Sequence, residues 1–283
     1  MKSLPLKLTC AALCASMLLS VAGCAPQKAA SRPQPTAGAT PAAPETAPDA
    51  KAVLMGMARF LGGSQRFSMT VRSGYDVVQE SGQKIEFSEA RKIVLSRPDR
   101  LRVEVEQSDG ERHLVLYDGK DVTVHSATQN VYATTPVPGG IDAAVTHFVK
   151  DLNMKLPLAA LLLSRVGDEL ERRTLSLDYV EKTRIFGVAA HHLAGRTETV
   201  DYQVWIADGD QPWPLRAVLT YKTTEGQPQY RAQFSDWNFP PQVNDAQFAF
   251  TPSQGARKIA FLAHLPRLAA QKTDVPQQNG GQP

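Results

Sequence analysis

Residues 114–125 have the sequence LVLYDGKDVTVH, in which two apolar-rich runs flank Asp118-Gly119-Lys120. An Asp-Gly pair between two such runs is a strong signal for a β-hairpin. In the preceding run, charged residues alternate with three apolar ones, Leu101, Val103 and Val105. This alternation is typical of a strand with one face on a core and one face in water. The centre of the chain therefore predicts an antiparallel sheet.

Strand patterns extend from this centre toward both ends of the chain. Upstream, alternation with a period of two predicts strands between Phe67 and Leu95. Downstream strands are predicted at residues 130–133, 175–185, 187–196, 200–207, 214–222 and 229–238. Asp208-Gly209-Asp210 and Glu225-Gly226-Gln227 are predicted as turns between neighbouring strands.

Helical spacing interrupts this pattern near the start of the domain and again in its middle. Apolar residues recur at helical intervals in residues 51–61 and in residues 141–152. The run from Leu156 to Leu163 is apolar on every side, so a short helix there must be covered all round or must itself cover a cavity. Together these patterns predict a mainly β, α+β domain, with one strongly curved sheet packed on helices.

The first 23 residues, MKSLPLKLTCAALCASMLLSVAG, have the layout of a secretory signal. Their apolar stretch, residues 8–21, is shorter than the ~20 residues that a membrane-spanning helix needs. The stretch ends in Val21-Ala22-Gly23-Cys24, which resembles the bacterial lipobox. That resemblance implies cleavage before Cys24 and lipidation of Cys24, with diacylglycerol on its sulfur and an acyl group such as palmitate on its amine. The alternative is a conventional signal peptide with a coincidental cysteine after it.

The residue after Cys24 is Ala25, where lipoproteins retained in the enterobacterial inner membrane commonly have aspartate. The pattern therefore resembles that of an outer-membrane lipoprotein at the periplasmic face, and inner-membrane anchoring remains an alternative. Residues 24–50 are rich in Pro and Ala, which predicts an extended tether. We expect a folded domain at residues 51–265 and a disordered polar tail at residues 266–283.

Charge and cysteine content restrict the functions open to the domain. Without residues 1–23 the chain has 29 basic and 28 acidic side chains, a net charge of +1, which argues against a nucleic-acid partner. Cys10 and Cys14 lie in the segment to be removed, so the domain has no disulfide framework and no cysteine metal site. It must be held together by apolar burial, which a chain of this length permits.

Three motifs, in this order, resemble the periplasmic lipoprotein-carrier superfamily of LolA-like proteins. This superfamily includes the soluble carrier, its outer-membrane receptor and a sensor of envelope stress. The motifs are Ser96-Arg97-Pro98-Asp99-Arg100-Leu101-Arg102, Leu116-Tyr117-Asp118-Gly119-Lys120, and Phe234-Ser235-Asp236-Trp237-Asn238 followed by Asp245, Phe248 and Phe250-Thr251-Pro252. They are similar to the superfamily's step into its central strands, its hairpin and its closing strand. The resemblance spans roughly residues 51–260 and is closest to an uncharacterised group of predicted periplasmic proteins.

This resemblance implies an incomplete antiparallel β-barrel whose concave face is capped by helices over an apolar cavity for acyl chains. Part of that cap is expected at Leu156 to Leu163. The chain differs from the soluble carrier in carrying its own lipobox, which argues against a shuttle. The receptor's exposed apolar loop is not identifiable in this sequence, so the resemblance does not extend to lipoprotein insertion.

The residues expected to line the cavity are apolar positions of the strands and of the cap. They are Phe67, Met69, Leu101, Val103 and Val105 on strands, and Leu158, Leu161 and Leu162 in the cap. The alternative is an ordinary sealed core, which the same residues would form through good packing.

No pattern in the sequence indicates catalysis, a metal or a cofactor. His191 and His192 are adjacent on a predicted strand, so they point to opposite faces, and no other ligand stands at metal-site spacing. Asp208-Gly209-Asp210 lacks the long acidic loop of a calcium site. Nucleophile elbow, phosphate-loop and dinucleotide motifs are absent from the sequence. A hydrolase remains an alternative, because carboxylates brought together by folding leave no local pattern.

We therefore expect a non-enzymatic, membrane-anchored module that binds a lipid, an acyl chain or a lipoprotein. The alternative is an envelope sensor or scaffold that binds a protein partner through the same fold. Its binding surface would be an exposed sheet edge or the loop of residues 134–140.

Overall fold

Twelve strands form one sheet in the structure, a computed structural model that describes residues 47–151 and 156–261. The strands are β1 (Arg66–Val78), β2 (Lys84–Ser96), β3 (Arg100–Gln107), β4 (Arg112–Tyr117), β5 (Asp121–Ser126), β6 (Val131–Pro136), β7 (Ser176–Ile185), β8 (Val188–Arg196), β9 (Val200–Ala207), β10 (Pro214–Tyr221), β11 (Gln229–Asn238) and β12 (Arg257–Lys258). The α-helices of these residues are α1 (Ala50–Gly63), α2 (Gly140–Thr146) and α3 (Val166–Arg173). A π-helical turn spans His147–Asp151, and 3-10 turns span Ala159–Leu162 and Asp245–Gln247.

The sheet is built from two series of sequential strands that meet in its middle. Strands β1 to β6 each pair with the next along the chain, and so do strands β7 to β11. Antiparallel pairing of β1 with β11 joins the series and gives the order β12-β6-β5-β4-β3-β2-β1-β11-β10-β9-β8-β7. Only β12, on β6, pairs in parallel among the described strands. Because β12 and β7 stand at opposite edges, the sheet is open, which confirms the predicted incomplete antiparallel barrel of mainly β class.

The hairpin predicted at Asp118-Gly119-Lys120 joins β4 to β5. The Asp118 carboxylate accepts hydrogen bonds from the backbone N–H groups of Lys120 and Asp121, at 3.0 and 2.8 Å, and so holds the turn. Gly119 has a φ of 96°, a left-handed conformation that costs little without a Cβ atom. Tyr117 then pairs directly with Val122 across the two strands.

Helix α1 supplies apolar surface against which the sheet packs. Asp49 caps its N-terminus by accepting a hydrogen bond from the Lys51 N–H at 2.8 Å. Its buried residues recur at helical spacing and join the main apolar cluster of the domain; they are Leu54, Met57, Ala58 and Leu61. Burying a large apolar side chain of this kind contributes about 1.5–3 kcal/mol. The helix predicted at residues 51–61 is thus present, from Ala50 to Gly63.

The middle of the chain differs from the predicted helical pair. Residues 141–151 are helical, but in the apolar run after them only Ala159–Leu162 forms a helical turn, of 3-10 type. Pro157 disfavours helical backbone at the residue before it, and Leu158 has a φ of 65°, so a continuous helix cannot form. No apolar pattern predicted α3, because Val166 is its buried residue and most of its other positions are charged.

Removal of one phenol oxygen tests the contact between β4 and the loop before α2. The Tyr117 hydroxyl donates to the Val137 carbonyl at 2.9 Å and accepts from the Gly140 N–H at 3.1 Å, in a side chain that is almost wholly buried. We expect Tyr117→Phe to lower the free energy of unfolding by about 1–3 kcal/mol, because buried backbone groups lose their partner. Urea denaturation followed by circular dichroism measures this change. The matched control is Tyr132→Phe, which removes a phenol oxygen from the half-buried ring that packs on Phe250. Equal losses in the two variants would contradict the assignment.

Candidate ligand cavity

The concave face of the sheet carries its side chains in rows, because residues of equal parity align across paired strands. The first row consists of Phe67, Leu95, Leu101 and Tyr117, on β1 to β4. The second row lies two residues further along each strand and consists of Met69, Ile93, Val103 and Val115. The third row is Phe234, Val71, Arg91, Val105 and His113, on β11 and β1 to β4. Apolar side chains therefore dominate the face until the third row, where the first charged residue appears.

A cavity of about 100 Å³ lies between these rows and the middle of the chain. Its apolar lining on the strands is Met69, Val71, Ile93, Leu101, Val103, Val105, Val115 and Phe234. Its opposite wall is Val145, Phe148, Leu156, Pro157, Leu158, Ala159, Leu161 and Leu162. We refer to residues 156–163 as the cap.

Seven of the eight residues predicted for the cavity line it in the structure. They are Met69, Leu101, Val103, Val105, Leu158, Leu161 and Leu162. Phe67 faces the same side of the sheet but belongs to the first row, where it is fully buried and packs on Trp237 and Phe239, with ring centroids 5.8 Å away in both cases. That these residues bind a ligand stays a prediction.

Hydrogen bonds from Arg97 connect the cap to the rest of the domain. The Arg97 guanidinium donates to the backbone carbonyl of Ser64, beyond α1, at 3.2 Å and to that of Leu162, in the cap, at 3.1 Å. Asp142 of α2 lies 3.8 Å from the same guanidinium and accepts hydrogen bonds from the Ser164 backbone N–H and hydroxyl at 2.9 and 2.6 Å. The Arg97 side chain is only 7% exposed, and this burial lowers its pKa while Asp142 acts in the opposite sense. Arg97 therefore links α1, α2 and the cap at one point.

The cavity is too small for an acyl chain while the cap is in this position. Its volume of about 100 Å³ is below the roughly 300–1,000 Å³ that is typical of ligand pockets. The cap is poorly suited to rigidity, because Leu158 occupies left-handed backbone, which costs a bulky residue about 1–2 kcal/mol. A ligand larger than a few methylene groups must therefore displace the cap.

Polar side chains interrupt the apolar lining from the third row onward. Glu89 and Arg91 on β2 and Tyr230 on β11 all line the cavity. Glu89 forms an ion pair with Arg91 and accepts a hydrogen bond from the Ser73 hydroxyl at 3.3 Å. The sequence contained a signal for them, since Glu89 and Arg91 share the parity of Ile93 and Leu95.

The histidine pair points to two different environments. His191 contacts the Tyr179 hydroxyl at 3.1 Å and the Asp208 carboxylate at 3.0 Å. His192 contacts Gln203 at 3.1 Å and stacks on Trp205. Among the described residues, no group of three or more His, Cys, Asp and Glu side chains could hold a metal ion. In the same part of the chain, no helix is long and apolar enough to cross a membrane.

Comparison with protein families gives one match, over residues 50–262, to a model described as a predicted periplasmic protein. The chain belongs to the DUF2092 family. This confirms the predicted resemblance to an uncharacterised group of predicted periplasmic proteins. No curated protein matches the sequence.

Solved structures similar to this DUF2092 chain include a lipoprotein and a LolA superfamily member. Lipoprotein LppX of Mycobacterium tuberculosis is 16% identical over 69% of this chain and 97% of its own, with a TM-score of 0.44. A LolA superfamily protein of Nitrosomonas europaea is 10% identical over 72% of this chain and 99% of its own, with a TM-score of 0.35. A chain in the MucA/MucB complex structure of Pseudomonas aeruginosa is 18% identical over 72% of this chain and 62% of its own, with a TM-score of 0.37.

Substitution of Arg97 tests whether it holds the cap of the DUF2092 domain closed. Each hydrogen bond from a charged donor contributes about 1.5–3 kcal/mol, so losing the bond to Leu162 shifts cap opening by roughly 10- to 150-fold. We expect Arg97→Ala to speed amide hydrogen exchange in residues 156–163 by that factor. The control is Arg184→Ala, which removes an exposed arginine whose guanidinium donates to the Gly187 carbonyl at 2.8 Å. Unchanged exchange of the cap in Arg97→Ala would show that other contacts close it.

Proposed function

We propose that this protein is a membrane-anchored periplasmic lipoprotein that binds an acyl chain of a lipid or a lipoprotein, without catalysis. The observation that supports this most directly is the apolar cavity between the second row of the sheet and an apolar cap. Concave, mostly apolar sites with a few polar groups are typical ligand sites. The family, whose members are predicted periplasmic proteins, agrees with the proposed compartment.

The proposed anchor is the lipid on Cys24, which lies outside the described residues, as do residues 25–46 of the tether and the tail. The support for it is the sequence Val21-Ala22-Gly23-Cys24 behind an apolar stretch. Two or more acyl chains on one cysteine give stable anchoring where a single chain is marginal. With Ala25 after the cysteine, we propose attachment to the outer membrane at its periplasmic face.

Hydrophobic transfer is the proposed source of the free energy that opens the cap. Each methylene group that moves from water into an apolar site contributes ~0.8 kcal/mol, so eight of them contribute about 6 kcal/mol. Breaking the hydrogen bond from Arg97 to Leu162 costs about 1.5–3 kcal/mol. The methylene groups of one long chain therefore outweigh this hydrogen bond, and the remainder is set against the apolar burial of Leu161 and Leu162 that opening disrupts.

The polar groups of the cavity favour binding over catalysis. Its titratable lining residues are Glu89, Arg91 and Tyr230, and the first two neutralise each other in an ion pair. A general base must be free to take a proton from a substrate. One oxygen of Glu89, Oε1, already pairs with Arg91 and accepts from Ser73.

Filling the cavity tests the proposed function. The full chain is purified without lipid as Cys24→Ala, and binding of a pyrene-labelled fatty acid is measured by fluorescence, with native mass spectrometry for co-purified lipid. We expect Val103→Phe to weaken binding at least tenfold, because the larger ring occupies space in the second row. The matched control is Val94→Phe on β2, since Val94 pairs with Arg102 and lines a groove on the opposite face. A chain that binds no acyl probe at all, or two variants with equal affinity, would refute the cavity as the binding site.

A second function, binding of a protein partner, is favoured by the free edge of the sheet. Strand β7 stands at that edge, where its outward N–H and C=O groups can pair with another strand. Large apolar side chains are exposed along it: Leu175 is 72% exposed and Phe186, at the turn into β8, is 79% exposed. The loop of residues 134–140 is less suited, because Val137 is buried and hydrogen-bonded to Tyr117.

Photocrosslinking in cells tests this second function. A photoreactive amino acid at position 186 is expected to yield one discrete crosslinked product, and the same residue at Glu198 is expected to yield none. Glu198 is an exposed residue in the turn between β8 and β9, at the opposite end of β8 from Phe186. Absence of a product specific to position 186 would argue against a partner at this edge.

A further inference from the structure

The polar end of the cavity has a defined position on the sheet. Arg91 belongs to the third row, and Glu89 pairs with Ser73 in the next row. Arg97, which fastens the cap, lies six residues from Arg91, so the two guanidinium-bearing residues are about 20 Å apart along extended chain. The cavity is therefore apolar beneath the cap and polar at its other end.

The charges at the polar end cancel. Glu89 and Arg91 form an ion pair whose side chains are both largely buried. The Ser73 hydroxyl has one proton, which it donates to Glu89. An anionic group of a ligand that approached Arg91 would also lie close to the carboxylate of Glu89. These two negative charges would repel each other.

Unused hydrogen-bond donors remain at this end of the cavity. The Tyr230 hydroxyl forms no hydrogen bond of acceptable distance and angle among the described residues, although the side chain is only 3% exposed and lines the cavity; the Ser73 hydroxyl near it donates to Glu89 instead. Buried polar groups in native proteins almost always have a partner, so such an exception needs an explanation. The Arg91 guanidinium has five N–H groups, and an ion pair with one carboxylate does not use all of them.

The phenol of Tyr230 remains a donor over the physiological pH range. Burial raises the pKa of Tyr230, while Arg91 and Ser73 act in the opposite sense. The pKa of the neighbouring Tyr221 is raised to about 12, again by burial first. Both phenols therefore stay protonated.

We propose that Tyr230 and Arg91 bind an uncharged ester carbonyl of an acylated ligand, whose chain extends beneath the cap. This inference rests on the proposed function, since it assigns the head-group end of the same cavity. A carbonyl oxygen accepts two hydrogen bonds and brings no charge to Glu89, which matches two donors beside a neutral ion pair. The site thus selects esterified chains over free fatty acids.

The test compares three pyrene-labelled probes of equal chain length: a fatty acid, its methyl ester and the corresponding hydrocarbon. The full chain carrying Cys24→Ala is titrated with each probe at pH 7. We expect the ester to bind at least tenfold more tightly than the acid. Tyr230→Phe is expected to weaken ester binding about 3- to 10-fold and to leave hydrocarbon binding unchanged. The matched control is Tyr202→Phe on β9, whose hydroxyl bonds to Thr174 and which does not line the cavity.

A second variant changes the charge of the site instead of its donors. Glu89→Gln leaves Arg91 without its carboxylate, so the acid is expected to gain at least tenfold relative to the ester. If Glu89→Gln does not fold, Tyr230→Phe alone decides the outcome. Equal affinity of all three probes, with no effect of Tyr230→Phe, would overturn the ester site while leaving the acyl-chain cavity intact. Failure of all three probes to bind would overturn the proposed function and the ester site together.

Discussion

Antiparallel pairing of β1 with β11 is the constraint on which the rest of the structure depends. It joins residues far apart in the chain, as in the hydrogen bond from Arg72 to Ser235 across 163 positions. Without it, the two strand series would form separate sheets with two additional edges. The cavity also depends on it, because Phe234 and Tyr230 reach the concave face only through β11. One non-local pairing therefore determines both the continuity of the sheet and the composition of its cavity.

The register of the sheet distributes polarity along the cavity. Parity places Phe67, Met69, Val71 and Ser73 on one face of β1, and their partners on β2 are Leu95, Ile93, Arg91 and Glu89. The face of β1 and β2 that builds the apolar core therefore becomes polar two rows later. A slip of one residue would turn Arg91 and Glu89 to solvent and bring Lys92 and Ala90 inward. Strand register alone therefore makes one end of the cavity apolar and the other end polar, without a contribution from a loop.

Features that depend on neighbouring residues were predictable from the sequence, and features that depend on distant contacts were not. The hairpin at Asp118-Gly119 and the cavity positions on β3 follow from local turn chemistry and alternation. The left-handed backbone of Leu158 could not be predicted, since it runs against the preference of a bulky residue. Nor could the sequence show that Met69 lines the cavity while Phe67 does not. Parity predicts the face of the sheet on which a side chain lies, but not its position along the strand. The positions of Arg91 and Tyr230 at the cavity depend on the register of three strands.

The late arrival of β11 has a consequence for the time course of folding. Chains are synthesised from the N-terminus at about 5–20 residues per second, so β11 follows β1 by roughly 10–30 s. During that interval the side of β1 that later pairs with β11 is an uncovered edge with apolar neighbours. Such an edge can pair with other chains. A nascent chain of this topology therefore gains from a holding chaperone until its last long strand is complete.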